Sequence, residues 1–375
     1  MAYIENSNQM KRMPTAIVLL ILLGITSDFG EQAVRTRPGV RPPLPQLDHV
    51  VIGYFPSWNR AAFDHTKIAY DWLTHIAVSF AMPDAEGNLV LPQDFVYPAL
   101  NQTAHLHGVK VLMSLGGWGN CAGFSPMAAD SAKRAKFIGQ VADFCRDYDY
   151  DGVDIDWEFP ETAAERTSFT LFIKELAAAL KAMRPPRLLT MAASSGDYYG
   201  RWIEFETLHP YFDFVGFMTY DYHGPWTDHS GHNAPLFSCD GDECGSMNDT
   251  FLYARSRAIP LGKLLLGIPF YGRSFDTGYL YDRFRDSRYY PFYEVMTFRA
   301  AGWPSFWDRC AKVPYLRKPG GGEIISYDDA FSVWRKCLYI KEKGAAGLII
   351  WEISQDRWQG RPVLLEVIRN SFLKK

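Results

Sequence analysis

The chain has 375 residues, and its 39 basic and 42 acidic side chains give a formal net charge of −3. This near-neutral balance excludes a strongly basic nucleic-acid or heparin binder, so we expect no nucleic-acid partner. At 47% hydrophobic and 22% charged residues the chain can bury a large core, which excludes wholesale disorder, and its 15% of aromatic residues fits an aromatic-lined groove.

The N-terminal region predicts export rather than fold. Lys11 and Arg12 precede a short apolar run at 16–25, as in a secretory signal peptide, which we place at 1–27. The run is shorter than the ~20 apolar residues of a membrane-spanning helix. We therefore expect a secreted protein with no stable membrane partner, although an uncleaved N-terminal anchor stays open. Residues 28–48 are Pro-rich and predict a semi-rigid linker, with a motif for a proline-recognising domain as the alternative.

The six cysteines predict disulfides, because an even number follows an export signal. Only one pairing is predicted, Cys239 with Cys244, since the loop CDGDEC can close locally. The other four are either paired or free buried thiols. We expect no zinc site, because the chain has no pair of CxxC motifs.

From residue 49 onward, short apolar runs alternate with helical patterns. The helical patterns include 132–148 and 164–184. The apolar runs are 50–55, 75–81, 109–115, 152–159, 188–194, 212–220, 264–271 and 347–353. Continuous apolar strands that alternate with helices indicate a parallel sheet, and eight such units predict an α/β fold, a (β/α)8 TIM barrel over 49–375.

One connection is too long for a loop. Residues 276–325, between strands 7 and 8, contain aromatic strand-like pieces and a Gly-rich turn. We predict a small α+β insertion subdomain at the mouth of the barrel.

The fourth strand carries the strongest chemical signal, DGVDIDWEFP at 151–160. Strand side chains alternate, so Asp154, Asp156 and Glu158 share one face. Carboxyl groups this close cannot all ionise without cost, so at least one pKa should be raised. Glu158 lies nearest the carboxyl end of the strand, where barrel enzymes hold their reactive groups. We assign it as proton donor, Asp156 as the group that shares its proton, and Asp154 as a deeper partner in that sharing.

The three acids of the fourth strand allow two other interpretations. The acids could line a solvated edge strand, but a closed barrel has no edges. They could bind a divalent cation, but no second ligand cluster is evident. His229 and His232 have a spacing that could bind a metal, yet no third ligand lies nearby in the sequence. We therefore predict no metal and no cofactor.

Several motifs occur in an order that resembles glycoside hydrolase family 18, the chitinases and their relatives. The fourth-strand acids are the core of the resemblance. The other segments are SLGGW (114–118), MTYD (218–221), HGPWTDHSGHNAPL (223–236), GIPFYGR (267–273) and IIWEI (349–353). Together they extend the resemblance over residues 50–375.

The resemblance implies retaining hydrolysis of β-1,4-linked N-acetylglucosamine without an enzyme nucleophile. Glu158 would protonate the leaving oxygen while the acetamido oxygen of the sugar attacks its own anomeric carbon. Asp156 would hold the acetamido N–H, Tyr220 would donate to the acetamido carbonyl, and Asp221 would orient the sugar. A neighbouring amide acts at very high effective concentration, so the protein need only orient it and handle protons.

Further residues are predicted to bind the sugar chain, chiefly by stacking. Trp118 and Trp226 should lie on opposite sides of the cleavage point, and Trp351 should floor it. Tyr54 and Phe80 could bind substrate or pack in the core, and Arg273 could equally be a structural ion-pair partner. The full set of predicted contacts is Tyr54, Phe80, Gly117, Trp118, Met218, Trp226, Tyr271, Arg273 and Trp351.

Two features of the sequence depart from the family pattern. The insertion looks short for a deep cleft, and Glu352 follows Trp351 where a small residue is expected.

We predict a monomeric chitinase that acts on chitin or N-acetylglucosamine oligosaccharides. The alternatives are a glycosidase of the same family that cuts N-glycan cores or peptidoglycan, and a non-catalytic chitin-binding lectin. Such lectins typically lack the acid that stands here as Glu158.

Overall fold

Eight parallel strands form a closed barrel at the centre of the computed structural model, which describes residues 47–373. We number these barrel strands in chain order. They are β1 (Val50–Pro56), β2 (His75–Pro83), β3 (Lys110–Gly116), β4 (Gly152–Asp156), β5 (Leu188–Ala193), β6 (Phe214–Phe217), β7 (Leu264–Pro269) and β8 (Gly347–Trp351). Each strand pairs in parallel with the next, and β1 also pairs with β8, with Val50 opposite Gly347. The predicted (β/α)8 barrel is confirmed.

Helices connect the strands on the outside of the barrel. The two helical patterns of the sequence form Ser131–Asp147 and Ala163–Ala182, each with an acceptor side chain at its start, Asp130 and Thr162. The remaining α-helices are Pro98–Leu106, Phe124–Ala129, Asp197–Gly200, Phe205–Leu208, Met247–Ser256, Phe292–Ala300, Ala330–Lys343 and Val363–Phe372. Short 3₁₀ helices occur at Ser57–Asn59, His65–Lys67, Tyr70–Trp72 and Leu261–Lys263.

The alternation of strand side chains divides the apolar residues into two cores. The larger core lies between the strands and the helices, where every second strand residue points outward. The smaller core fills the barrel itself. It consists of Ile52, Tyr54, Ala77, Phe80, Leu112, Ala192, Leu265 and Ile349. The interior is therefore packed, and a substrate site can form only at its open end.

The insertion between β7 and β8 is a five-stranded antiparallel sheet with one helix, Phe292–Ala300. Its strands in chain order are Tyr271–Phe275, Ser287–Pro291, Ser305–Trp307, Pro314–Arg317 and Ile324–Ser326. The sheet begins at Tyr271, earlier than the predicted boundary at 276. The chain leaves the barrel after Pro269, so Tyr271, which we expected at the end of β7, opens the first strand of the insertion. Two short ribbons remain, Leu89–Val90 against β2 and Arg357–Trp358 against Arg361–Pro362.

The predicted disulfide between Cys239 and Cys244 is wrong. Cys239 instead bonds Cys310 of the insertion, with their Cα atoms 5.8 Å apart. The two segments meet through tertiary packing, since the Leu236 N–H donates to the Ala311 carbonyl at 2.9 Å. Local closure of a loop therefore does not decide the pairing. The thiols of Cys121, Cys145, Cys244 and Cys337 are free.

The ends of the described region pack together. Leu47 is buried and pairs with Leu373, and the Asp48 N–H donates to the Phe372 carbonyl at 3.0 Å. The predicted signal peptide at 1–27 and the linker up to residue 46 lie outside the described residues. Within 47–373, no helix combines the length and the apolar character that crossing a bilayer requires.

Candidate active site

The three acids of the fourth strand lie at the mouth of the barrel. Asp154 and Asp156 are buried on β4, and Glu158 follows two residues beyond the last residue of the strand. Asp156 interacts electrostatically with both Asp154 and Glu158, which is consistent with one shared face. Glu158 is partly exposed, so its carboxyl group is the one nearest to an incoming ligand.

Three hydroxyl groups hold the Asp154 carboxyl group. Tyr54 and Ser114 donate to its Oδ2 at 2.8 and 2.9 Å, and Thr190 donates to its Oδ1 at 2.6 Å. Burial raises the pKa of Asp154, while these hydrogen bonds act against that rise because they stabilise the carboxylate. The donors come from three other barrel strands, β1, β3 and β5, so the position of Asp154 is fixed by the barrel itself.

Asp156 and Glu158 are electrostatically linked. Burial and the neighbouring carboxylates of Glu158 and Asp154 raise the pKa of Asp156 well above its ordinary value. Burial and the charge of Asp221 raise the pKa of Glu158 to about 8, against a smaller opposing effect of the Trp118 N–H. The raised pKa lets Glu158 keep its proton at a higher pH than an ordinary carboxyl group, which favours a general acid.

Two buried polar atoms near this acid row lack partners. Among the described residues, none forms a hydrogen bond with Asp156 Oδ1 or with the Tyr271 hydroxyl. Buried polar groups are nearly always hydrogen-bonded, so an unpaired one calls for an explanation. A polar ligand in the barrel mouth would supply these partners.

The segment after β6 brings Tyr220 and Asp221 to the same place. Burial and the Asp156 and Glu158 carboxylates raise the pKa of Tyr220 well above its ordinary value, so the phenol keeps its proton and can donate it in a hydrogen bond. Arg273 Nε donates to Asp221 Oδ1 at 2.7 Å. Asp221 adopts a left-handed backbone conformation, with φ of 61°, and its N–H donates to the Asn233 side chain. Arg273 is thus an ion-pair partner of Asp221, and its contact with substrate stays a prediction.

Stacked aromatic rings form the floor of the cleft. Phe80 and Trp351 are nearly parallel, with ring centroids 5.6 Å apart, and Tyr54 tilts against Trp351 at 5.7 Å. Gly117 lies against Phe80, where a Cβ atom would collide with the ring. Met218 packs against both the barrel interior and the Tyr220–Tyr271 pair. Tyr54 therefore lies beneath the cleft floor with its hydroxyl on Asp154, rather than on the cleft surface.

Two tryptophans stand exposed on the rim. Trp118 follows β3 and is 71% exposed, and Trp226 lies in the loop after β6 and is 53% exposed. The Arg273 guanidinium lies 4.6 Å from the centre of the Trp226 ring, which links this tryptophan to Asp221. Large exposed aromatic faces at the mouth of a pocket are typical of ligand contacts. Their placement on opposite sides of a cleavage point stays a prediction.

Two aromatic residues outside the predicted contact set lie beside the cleft aromatics. Trp58, in the 3₁₀ helix after β1, is 58% exposed and lies 6.0 Å from Phe80 and 6.4 Å from Trp351. Its position just beyond a strand end is the criterion that found Trp118 and could have found it too. Tyr289, in the insertion, stacks on Tyr271 at 4.4 Å and has no comparable sequence signal.

The residues that departed from expectation have clear environments. Glu352 is buried, and its carboxyl group accepts from the N–H and hydroxyl of Ser354 at 2.7 and 2.6 Å. It therefore fixes the chain after β8 and does not extend the cleft floor. His232 bonds Asp308 and Ser326, and does not join His229 in a metal-binding pair.

Comparison with known proteins identifies a family for this chain. A family model described as glycosyl hydrolases family 18 matches residues 50–356. Chitinase A1 of Niallia circulans is 33% identical over 285 residues, which cover 66% of this chain and 41% of that protein. The chain thus spans less than half the length of this curated relative.

Solved structures show the same fold. The Group IV chitinase of Ostrinia furnacalis, in complex with allosamidin, has a TM-score of 0.80 and 26% identity, covering 86% of this chain and 98% of that one. Human YKL-39, described as a pseudo-chitinase with retained chitooligosaccharide binding properties, has a TM-score of 0.80 and 25% identity, covering 86% and 99%. Proteins described as catalytic and as non-catalytic therefore share this architecture.

Proposed function

The chain belongs to glycosyl hydrolase family 18, and from that membership we propose that it is a secreted, monomeric chitinase. It hydrolyses β-1,4 linkages between N-acetylglucosamine units of chitin or its oligosaccharides, with retention of configuration and with the substrate as nucleophile. The observation that carries the proposal is the position of Glu158, a carboxylic acid of raised pKa beside Asp156 in the aromatic-lined mouth of the barrel. A pure sugar-binding site has no need of such an acid.

In the first step Glu158 gives its proton to the glycosidic oxygen. The acetamido oxygen of the same sugar attacks the anomeric carbon as the bond to the leaving oxygen breaks, which forms an oxazolinium ion and frees the leaving sugar. The unpaired Asp156 Oδ1 is suited to accept the acetamido N–H, and the protonated Tyr220 to donate to the acetamido oxygen. These contacts hold the nucleophile in place, which is the main requirement of an intramolecular attack.

In the second step Glu158, now ionised, takes a proton from water. The oxygen of that water bonds the anomeric carbon from the face that the leaving group occupied, and the acetamido oxygen departs. Glu158 recovers its proton, and the product has the configuration of the substrate. A pKa near 8 suits both roles, since an acid–base catalyst works best when its pKa lies near the operating pH.

The cleft walls support binding of a sugar chain. Sugar rings present flat C–H faces, which Trp118, Trp226 and the floor ring Trp351 can cover. Asp221, held by Arg273, can orient the distorted sugar at the cleavage point. The substrate polymer is then the partner of this protein, and export through the signal peptide would bring the two together.

An oligomer that lacks one acetyl group tests the proposal most specifically. We expect a chito-oligomer to resist hydrolysis when the sugar whose anomeric carbon is attacked carries no acetyl group. The fully acetylated oligomer should be cut. Both are incubated with the purified protein, and products are separated by length. Equal rates of cleavage would contradict the acetamido mechanism.

A second candidate function is chitooligosaccharide recognition without cleavage. The likeness to human YKL-39, a pseudo-chitinase that binds chitooligosaccharides, supports it. This candidate predicts tight binding of the fully acetylated oligomer and no products at any pH. The presence of Glu158 favours the enzyme.

A further inference from the structure

The loop after β6 contains a cluster of four metal-binding side chains that the proposed chemistry does not use. His223, His229, Asp242 and Cys244 each offer a ligand atom, and these atoms lie within 4.8 Å of one another. They are separated by up to 21 positions in the sequence, and turns with left-handed glycines at 241 and 245 flank the second pair. The cluster lies beside the segment that carries Trp226.

The donor atoms have spacings close to those of a tetrahedral site. His223 Nε2 lies 3.4 Å from Asp242 Oδ1, and His229 Nε2 lies 3.9 Å from Cys244 Sγ. Zinc bonds of ~2.0–2.3 Å place neighbouring ligand atoms roughly 3.3–3.8 Å apart. Shifts of less than about 1 Å would therefore bring all four donors to one ion.

Both histidines are oriented as metal ligands are. His223 Nδ1 contacts the His232 carbonyl at 3.0 Å, so it is the nitrogen that carries the proton. His229 Nδ1 contacts the Asp228 carboxylate at 2.7 Å. These outer contacts leave each Nε2 atom facing Asp242 or Cys244, as in the carboxylate–histidine–metal arrangement.

Two buried atoms of the cluster lack a hydrogen bond, although His223 Nε2 lies within ion-pair distance of Asp242 Oδ1. Among residues 47–373, no group forms a hydrogen bond with His223 Nε2 or with Asp242 Oδ2. Their side chains are 0% and 2% exposed. A buried polar atom without a hydrogen bond destabilises the fold unless a ligand contacts it, and both of these atoms belong to side chains of the cluster. A cation bound within the cluster would satisfy both.

We propose that His223, His229, Asp242 and Cys244 bind one zinc ion. Nitrogen and thiolate donors favour zinc over calcium or magnesium, which prefer oxygen. Four protein ligands leave no open position, so the site is structural. It ties the Asp242–Cys244 turn to His223 at the base of the Trp226 segment, while the Cys239–Cys310 disulfide ties the same turn to the insertion. The proposal does not rest on the chain being a chitinase.

Zinc binding by the full chain, with its disulfide intact, tests this proposal. After removal of metal with a chelator, Zn²⁺ is titrated in competition with a chromogenic indicator. We expect one equivalent to bind tightly and to raise the melting temperature by mass action. With Co²⁺ as the probe, we expect the near-ultraviolet charge-transfer band of a thiolate ligand.

Two variants and a control distinguish a built site from chance surface binding. Cys244→Ser should lower the zinc affinity by more than the ~10–100-fold typical of an outer-shell change, and should abolish the Co²⁺–thiolate band. His229→Ala should lower the affinity similarly, and its partly exposed side chain makes misfolding no obstacle. His107→Ala is the control, because His107 pairs with Asp71 at 2.8 Å much as His229 pairs with Asp228. Absence of bound zinc in the parent protein, or equal affinity in Cys244→Ser, would overturn the proposal.

Discussion

The acid row on β4 and the loop after β6 face the same cleft but are built differently. The acids lie within five consecutive residues of one strand and its end, and hydroxyl groups of neighbouring strands fix Asp154. The loop exposes Trp226 and is held by contacts between distant segments, namely the Cys239–Cys310 disulfide and the Arg273 pairing. Under the proposed function, the difference teaches that proton transfer is placed on the barrel strands, while sugar contacts are placed on the loops, which vary more readily. Changes in the acid row, and in Tyr220 and Asp221 beside it, should lower kcat, and changes in the part of the loop that carries Trp226 should raise KM.

Glu158→Gln should give the largest effect, because it removes the proton donor while preserving the shape of the side chain. We expect kcat on chitotetraose to fall by about 10²–10⁴, with ligand binding retained in calorimetry. Glu161→Gln, at an exposed position three residues on, is the matched control and should keep full activity. Near-normal turnover of Glu158→Gln would end the assignment of this residue as the acid.

Tyr220→Phe should have the next largest effect. It removes a donor aimed at the acetamido oxygen as that oxygen attacks, and loss of one such donor typically costs ~10²–10³ in kcat. Steady-state kinetics on chitotetraose should show this loss with little change in KM. A change in KM alone would show that Tyr220 contributes to substrate binding and not to the chemical step.

The pH dependence links the regions through Asp221. The acid must be protonated, so kcat/KM should be level below a pH of about 8 and fall about tenfold per pH unit above it, given the pKa of about 8 for Glu158. The negative charge of Asp221 raises that pKa, so Asp221→Asn should move the falling limb to lower pH. A rate that stays level to pH 9, or a limb that Asp221→Asn leaves in place, would contradict this origin of the shift.

Trp226→Ala should raise KM and spare kcat, since the proposed function places its ring against a sugar away from the reacting bond. Loss of roughly 1.4 kcal/mol of stacking corresponds to about tenfold in KM. Trp334→Ala, on the outer helix Ala330–Lys343, is a tryptophan control that should change neither constant. A fall in kcat with unchanged KM would show that the loop takes part in the chemistry.

Tyr54→Phe should have the smallest effect on kcat, and it tests whether Tyr54 supports Asp154 or contacts the substrate. The variant removes one of three hydrogen bonds to Asp154, each worth ~0.5–1.5 kcal/mol, so kcat should fall about two- to tenfold. KM should not change, because Tyr54 lies beneath the cleft floor. A raised KM with normal kcat would restore Tyr54 to the substrate contacts, as its sequence position first indicated.

The same contrast explains what the sequence could predict. The apolar runs determined the barrel, and two-residue alternation placed Asp154, Asp156 and Glu158 on one face, because both depend on local spacing. The environment of Tyr54 was not predictable, since its hydroxyl is used by a residue 100 positions away. Trp58 lies just beyond the end of β1, so the strand-end position that predicts Trp118 also predicts Trp58.

Loop contacts were harder to predict, because they depend on tertiary packing. Local closure favoured Cys239 with Cys244, but the insertion carries Cys310 to Cys239 instead. The sequence suggests His229 and His232 as a metal-binding pair, but in the structure His229 lies beside Cys244 and His223. Sequence distance is a poor guide where the chain folds back on itself without a regular element.

The product anomer tests the central claim most directly. The purified protein is incubated with chitotetraose, and the products are read by NMR before mutarotation. A retaining, substrate-assisted chitinase should release β-anomeric chitobiose, and Glu158→Gln should release almost none. An α-anomeric product, or tight binding of chitotetraose without any cleavage by the parent protein, would contradict the account.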